Sequence, residues 1–190
     1  MTTLKLHSGT FLLLSLLLVS TSALQADQKI LSARDIVLED GDTLLLDLNG
    51  EQQRIQLKGI DAPEDIDNPK LQSDLKRSGL ERDRLLALGQ RATEHLRSLT
   101  GNDASYTLQY DPGQRDRYGR LMGDLINHEG ESLLTLMVTQ GYAIVSVRAA
   151  DAQQLEQLMP LQKQAIAMKQ GLWGLDNEAA RLWAGISASE

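Results

Sequence analysis

The pattern of apolar positions predicts short strands in the first half of the chain. Thr43–Leu48 is rich in leucine, and Arg54–Ile60 alternates apolar and polar residues, which is the two-residue period of a strand. Asn49-Gly50 between these runs favours a hairpin turn. Further strand patterns lie at Ala33–Leu38, Tyr106–Tyr110, Tyr118–Ile126 and, as a short strand or an extended piece, Tyr142–Val147.

Helical spacing and capping residues predict about three helices, over Leu85–Leu99, Glu131–Gln140 and Asp151–Gln170. The segment Asp65–Arg84 is polar and highly charged, and we interpret it as an exposed loop with room for a short helix. The sequence Asp111-Pro112-Gly113 predicts a tight turn. Five short strands with a few helices predict an α+β fold, mainly a small five-stranded barrel with helices packed outside it.

The first 26 residues have the layout of a secretory signal peptide. Lys5 precedes the apolar run Phe11–Val19, and small residues allow cleavage after Ala23 or after Ala26. An uncleaved anchor is the alternative, but the run is shorter than the roughly 20 residues of a membrane-spanning helix. We therefore expect an exported protein, periplasmic or secreted, with no stable membrane association after cleavage.

Composition narrows the class of protein further. The chain has 190 residues and no cysteine, so disulfides and thiolate metal sites are excluded. This length predicts one domain over residues 27–174 with a tail over 175–190, and we expect a monomer. The formal charge is −7, which counts against broad, tight binding of a polyanion but leaves room for a local phosphate site with a bound cation.

Candidate chemistry lies in three separated segments. Asp42 and Asp61 stand at the ends of predicted strands, where two carboxylates and the Ala62 carbonyl could share a hard cation such as Ca²⁺ or Mg²⁺. Glu64 could orient or deprotonate an attacking water. Arg120 offers a planar fork for phosphate charge. Together these residues favour metal-assisted cleavage of a phosphodiester.

Each of the three segments also has a structural explanation when it is taken alone. A Gly-Asp pair such as the one before Thr43 is usually a turn, and Ile60–Glu64 could be a loop that caps a helix. The sequence Tyr118-Gly119-Arg120 could simply begin a strand. The order and combination of the segments are more specific than any one of them.

The combination resembles the staphylococcal nuclease (thermonuclease) family over residues 33–174. The resemblance is carried by the segments Asp40-Gly41-Asp42-Thr43, Gly59–Glu64, Gly113-Gln114-Arg115, Asp116–Arg120, Gln140-Gly141-Tyr142-Ala143 and Gly171-Leu172-Trp173. It implies an OB-fold barrel and Ca²⁺-dependent hydrolysis of DNA or RNA, single-stranded or flexible. In this family the 5′-oxygen–phosphorus bond is cut and 3′-phosphates are left.

The same resemblance implies a role for each candidate residue. Asp42 and Asp61 match the metal carboxylates, the Ala62 carbonyl matches the backbone ligand, and Glu64 matches the glutamate assigned to the attacking water. Arg120 matches the second catalytic arginine. Two neighbours match residues that contact substrate phosphate, namely Arg117 and Tyr118.

One departure from the family pattern bears directly on catalysis. The first catalytic arginine of the family falls at Gln56, which supplies neither charge nor a fork, and loss of such a group can cost roughly 10²- to 10³-fold in rate. Arg54 and Lys58 lie on the same predicted strand face, each about 6–7 Å along the strand. Either could substitute for the missing arginine, and Lys58 could contact substrate.

Two other departures concern the surroundings of the site. The segment Asp65–Arg84 is longer than in the family and could bring a cation over the site, although such charges usually keep a loop solvated; its basic residues are Lys70, Lys76, Arg77, Arg82 and Arg84. Near Val145–Arg148 the family often has tyrosines for base stacking, which this sequence lacks.

These departures leave two hypotheses. The first is an exported, Ca²⁺-dependent nuclease weakened at Gln56. The second is a catalytically impaired OB-fold module that binds nucleic acid, nucleotide or protein. Retention of all four residues Asp42, Asp61, Glu64 and Arg120 favours the first, while Gln56, the acidic charge and the missing tyrosines favour the second.

Overall fold

A computed structural model describes residues 27–101 and 105–187. The predicted signal peptide, residues 1–26, lies outside the described residues. The strands are β1 Asp27–Ser32, β2 Ile36–Leu38, β3 Thr43–Leu48, β4 Glu51–Leu57, β5 Ile60–Asp61, β6 Ser105–Arg115, β7 Leu121–Ile126 and β8 Ile144–Val145. The helices are α1 Pro69–Ser78, α2 Arg82–Thr100, α3 Leu133–Thr139, α4 Ala152–Ala167, α5 Leu172–Leu175 and α6 Asn177–Ala184.

Six of the described strands form one sheet in the order β1-β6-β7-β4-β3-β2, in which β4 and β7 are parallel. The hairpin β3–β4 turns at Asn49-Gly50, where both residues have positive φ (62° and 86°), as this turn requires. Lys29 of β1 donates to the carbonyl oxygen of Asp47 in β3 at 2.7 Å. Because these strands are far apart in the sheet order, this contact shows that the sheet curls. Strands β5 and β8 form a separate pair.

The predicted α+β class is confirmed, but the numbers of strands and helices were wrong. The described sheet has six strands instead of five, because β1 adds to the edge of β6 with Leu31 opposite Tyr106. The three predicted helices are present as α2, α3 and α4. The segment predicted as a loop contains α1, and the segment after Gly171 contains α5 and α6.

The strand predicted to end at Tyr110 is longer than predicted, although Asp111 Oδ1 accepts from the N–H of Gly113 at 2.8 Å, as in a local turn. Strand β6 continues to Arg115, and its register with β7 shifts between Tyr110 and Arg115. Proline is tolerated in a strand at an irregularity of this kind, because no ladder hydrogen bond is required from its nitrogen.

Two hydrophobic clusters build the interior. The sheet cluster lies between the sheet and helices α2, α3 and α4, and its fully buried members include Leu44, Leu46, Ile55, Leu57, Leu108 and Leu125. The helix cluster joins α1, α2, α5 and α6, and includes Leu71, Leu85, Leu88, Leu172, Trp173 and Trp183. Helix α2 contributes to both clusters, so it couples α1 to the sheet. No helix within the described ranges is long and apolar enough to span a bilayer.

Polar contacts also attach α1 and α2 to the C-terminal helix. Arg84 at the start of α2 donates to both carboxylate oxygens of Asp176, from Nε at 2.6 Å and from Nη2 at 2.7 Å. Arg77 of α1 donates from Nη1 to the carbonyl oxygen of Trp183 at 2.5 Å. Helix α6 is therefore packed against the body of the fold.

Candidate functional site

The turn between β2 and β3 is organised by two buried aspartates. Asp40 Oδ1 accepts from the backbone N–H groups of Asp42 (2.9 Å) and Thr43 (2.7 Å). Asp42 Oδ1 accepts from the Thr43 hydroxyl at 2.9 Å, and Asp42 Oδ2 accepts from the N–H of Ala62 at 2.8 Å. Asp42 therefore joins the start of β3 to the end of β5, which brings the first two predicted segments together.

The ammonium group of Lys70, in the first turn of α1, lies among the oxygens of the second segment. Its Nζ is 3.1 Å from Asp61 Oδ1, 3.0 Å from the carbonyl oxygen of Ala62 and 2.7 Å from Glu64 Oε1. Asp74, one turn further along α1, places Oδ2 at 3.7 Å from the same nitrogen. We call these five residues the Lys70 cluster.

The second oxygen of Glu64 is also engaged. Asn68 caps α1 by accepting from the N–H of Leu71 at 2.9 Å, and its side-chain amide donates to Glu64 Oε2. Glu64 is 5% exposed. The carboxylate predicted to handle water is thus held by two residues of the charged segment, Asn68 and Lys70.

Burial and neighbouring charges shift the pKa values of Asp40, Asp61 and Lys70. Burial, together with the charges of Asp42 and Glu64, raises the pKa of Asp40 to about 8. Burial raises the pKa of Asp61 to about 6, although the charge of Lys70 opposes this shift. Burial alone would lower the pKa of Lys70, but the surrounding carboxylates, led by Asp61, raise it overall. A cation is therefore strongly favoured at this position.

Arg120, from the third segment, reaches the Asp42 turn through a hydroxyl. Its Nε donates to Asp116 Oδ2 at 2.7 Å, and its Nη1 donates to Thr43 Oγ1 at 2.9 Å. Burial would raise the pKa of Asp116, but the hydrogen bonds from Arg120 outweigh it and the pKa is lowered. Arg120 is thus oriented by Asp116 and connected through Thr43 to Asp42.

The predicted substrate residues Arg117 and Tyr118 lie in the exposed turn before Arg120. The guanidinium carbon of Arg117 is 4.7 Å from the centre of the Tyr118 ring, and that of Arg120 is 5.6 Å from it. Cations over an aromatic face at these distances are attracted by its negative charge density. The turn therefore groups two cations around one exposed ring beside the Asp42 turn.

Gln56 lies at the site beside Thr43. Its side chain is buried, and Gln56 Oε1 is 3.3 Å from the Thr43 hydroxyl that Arg120 also contacts. The two candidate substitutes are engaged elsewhere. Arg54 forms a two-pronged ion pair with Glu39, and Lys58 pairs with Asp151 at the start of α4 at 3.0 Å.

The structure thus brings together Asp42, Asp61, Ala62, Glu64, Arg120 and Gln56, and leaves Arg54 and Lys58 in separate ion pairs. Sequence reasoning named Lys70 only as one of several charges and overlooked Asn68 and Asp74. Asn68-Pro69 was a usable signal, because asparagine at the N-cap and proline at the first position mark a helix start. Across residues 27–101 and 105–187, no three His, Cys, Asp or Glu side chains are arranged to hold a metal ion together.

Comparison with known proteins identifies the family to which the fold belongs. Residues 54–174 match the family model described as staphylococcal nuclease homologue. A thermonuclease of Staphylococcus hyicus is 26% identical over 135 residues, which are 70% of each chain. A protein of Escherichia coli named uncharacterized endonuclease is 31% identical over 135 residues, covering 70% of this chain and 71% of that one. Endonuclease YhcR of Bacillus subtilis is 29% identical over 90 residues, only 7% of its own length.

The family model covers more than half of the chain. The chain therefore belongs to the staphylococcal nuclease family.

Proposed function

We propose that the chain is an exported, metal-dependent nuclease that hydrolyses phosphodiester bonds of single-stranded or flexible DNA or RNA. Water attacks phosphorus, the bond from phosphorus to the 5′-oxygen breaks, and the products are one end with a 3′-phosphate and one end with a protonated 5′-hydroxyl. We further propose that the curled sheet is an OB-fold barrel, that residues 27–174 form the nuclease domain with 175–190 as its tail, and that the mature protein is a monomer in the periplasm or outside the cell.

The observation that carries this proposal is the convergence of oxygens at the Lys70 cluster. Asp61 Oδ1, the Ala62 carbonyl oxygen and Glu64 Oε1 all lie within 3.1 Å of one point, the Lys70 nitrogen. Asp74 Oδ2 is buried and has no hydrogen-bond partner among the described residues. An all-oxygen, carboxylate-rich set of this kind fits a hard cation.

We propose that Asp42, Asp61 and the Ala62 carbonyl hold Ca²⁺, with Mg²⁺ as a second possibility. The bound ion would supply Lewis-acid stabilisation of charge on the phosphoryl oxygens. Asp42 already fixes the backbone of Ala62 through the 2.8 Å hydrogen bond from its N–H. Its role is therefore to aim the neighbouring carbonyl as well as to contribute charge.

The remaining roles follow from chemistry and position. Glu64 accepts the proton of the attacking water. Arg120, oriented by Asp116, binds the phosphate through its planar fork. Arg117 and Tyr118 contact substrate from the exposed turn. Arg54 supplies part of the positive charge that is missing at Gln56. Lys58 is the other candidate for this role, and it contacts substrate.

The alternative is an impaired module that binds nucleic acid, nucleotide or protein without cutting. It is supported by the neutral, buried side chain at position 56 and by the fact that both oxygens of Glu64 are already engaged by Lys70 and Asn68. In this case the same residues would bind the ligand, and no hydrolysis would follow.

Cleavage of single-stranded DNA by the mature protein separates the two functions. A nuclease requires cutting in Ca²⁺ that is lost in chelator and in Glu64→Gln. The matched control is Glu156→Gln, which makes the same chemical change at an exposed position of α4. Folded protein that binds the strand but does not cut it would establish the binding module, and cutting that survives both treatments would reject the proposed mechanism.

A further inference from the structure

Lys70 lies where two of the three proposed cation ligands and the proposed base converge. Its nitrogen contacts one oxygen from each of Asp61, Ala62 and Glu64 at 2.7–3.1 Å. Two of these are proposed ligands, and the third is the proposed base. The Lys70 ammonium group and a divalent cation cannot both lie close to the same oxygens, because their positive charges repel each other strongly at short range.

We propose that the Lys70 ammonium group is a tethered competitor of the divalent cation, so that helix α1 holds the site closed until the ion displaces it. This inference rests on the metal centre in the proposed function and adds a regulatory residue to it. Displacement of Lys70 would also free Glu64 Oε1, so the same event that admits the ion would release the base.

The packing of α1 keeps the Lys70 ammonium group at the site. Asn68 caps the helix beside the site, and Asp74 attracts the ammonium group from one turn away. Leu71 is fully buried in the helix cluster, and Arg77 ties the far end of the helix to the carbonyl oxygen of Trp183. The Lys70 nitrogen therefore lies at the site because its helix is held in place by these contacts.

The exposure of the cluster makes exchange feasible. The side chains of Lys70 and Asp61 are 31% and 30% exposed, respectively. An ion from solution can therefore reach Asp61 without opening either hydrophobic cluster. A lysine has four rotatable side-chain bonds, so its ammonium group can leave the oxygens and move into solvent without unfolding α1, although the helix then loses one of its anchors.

Calorimetric titration of Ca²⁺ into the mature protein tests the competition directly. We expect Lys70→Met to bind Ca²⁺ on the order of tenfold or more tightly than the wild type, because apparent affinity is reduced by the fraction of molecules in which Lys70 holds the oxygens. The matched control is Lys76→Met, which removes the same charge from an exposed position of the same helix. Its affinity is expected to stay close to that of the wild type.

Each result has a distinct meaning. Equal Ca²⁺ affinity in Lys70→Met and the wild type would overturn the competition while leaving the metal centre intact. An equal gain in Lys70→Met and Lys76→Met would also overturn it, since general charge would then explain the effect. Failure of every variant to bind Ca²⁺ would reject the metal centre of the proposed function together with this inference.

Removal of Lys70 leaves buried carboxylates without a counter-charge, so the variant could be too unstable to titrate. Hydrogen exchange on the wild-type protein provides a second measurement. We expect Ca²⁺ to speed amide exchange in residues 69–78, because α1 loses the anchor at Lys70, whereas ligand binding ordinarily slows exchange. Bound Ca²⁺ with unchanged or slower exchange in this segment would overturn the inference.

Discussion

Gly89 of α2 lies directly against the backbone of Glu64. A Cβ atom at position 89 would lie 2.0 Å from the Glu64 carbonyl oxygen and 2.3 Å from its carbonyl carbon. Helix α2 therefore supports the loop that carries the proposed base, and the contact is possible only because residue 89 has no side chain. The position of Glu64 depends on a residue 25 places further along the chain.

Substitution Gly89→Ala should destabilise the protein by roughly 1–3 kcal/mol, the usual cost of forcing atoms into a packed interface. In an exposed helix the same change would stabilise by about 0.5–1 kcal/mol, so the sign of the effect is diagnostic. Urea unfolding measures it. Gln90→Ala, at the adjacent exposed position, should stay within about 0.5 kcal/mol of the wild type. A stabilised Gly89→Ala protein would show that the loop does not rest on this glycine.

Gln56→Arg should raise the rate of single-strand cleavage by roughly 10²- to 10³-fold, because it restores a charged fork at a position 3.3 Å from the Thr43 hydroxyl. The single-turnover rate in saturating Ca²⁺ is the quantity to compare. Gln52→Arg adds the same charge at an exposed position of β4 and should leave the rate nearly unchanged. Equal gains in both variants would indicate that general charge, rather than the site, limits activity.

Release of Arg54 from its ion pair should reveal whether it substitutes for the missing arginine. Glu39→Gln removes the carboxylate that holds Arg54, and we expect a faster cleavage rate as the guanidinium group becomes available to phosphate. The double variant Glu39→Gln with Arg54→Gln should lose that gain, since interacting residues are non-additive. A rate that does not respond to Glu39→Gln would remove Arg54 from the catalytic machinery.

Asp124 of β7 should give the protein a measurable pH dependence of stability. Burial raises its pKa from 3.8 to about 6, against the opposing hydrogen bonds from Ser132 and Leu134. Between these values the folded state holds a proton that the unfolded state has lost, so the contribution is present at low pH and is lost as pH rises.

The corresponding measurement is urea unfolding from about pH 4 to pH 7 for the wild type and Asp124→Asn. The stability of the wild type relative to the variant should fall by about 1.4 kcal/mol per pH unit over the titration range. Asp83→Asn, an exposed carboxyl at the start of α2, controls for the loss of one negative charge. A difference that does not change with pH would show that folding does not raise the pKa of Asp124.

Local signals in the sequence were sufficient for most of the fold. The Asn49-Gly50 turn and the leucine run in β3 predicted the central hairpin, because turn geometry and period-two burial are local properties. Strand β1 was missed because Leu31 is its one buried side chain and its other residues are exposed or half-buried. Its pairing with β6 depends on a partner far away in the sequence.

The site residues that stand in sequence motifs were predictable, whereas the residues that tertiary packing brings to the site were not. Asp42, Asp61, Glu64 and Arg120 stand in recognisable segments, and the structure brings them to one region. The position of the Lys70 side chain depends on how α1 packs between α2 and α6. No local sequence pattern predicts that packing. The ion pair between Arg54 and Glu39 is likewise a contact across 15 positions of sequence.

The anchoring of α1 on α6 has an evolutionary consequence. The Trp183 carbonyl oxygen accepts a hydrogen bond from Arg77 of α1. Trp183 lies beyond residue 174, where the match to the family ends. A homologue that lost the terminal helix would leave α1 without its support, and one that lost α1 would expose the tryptophan face of the terminal helix. Helices α1 and α6 should therefore be inherited as a pair, each occurring in related genomes only where the other is encoded.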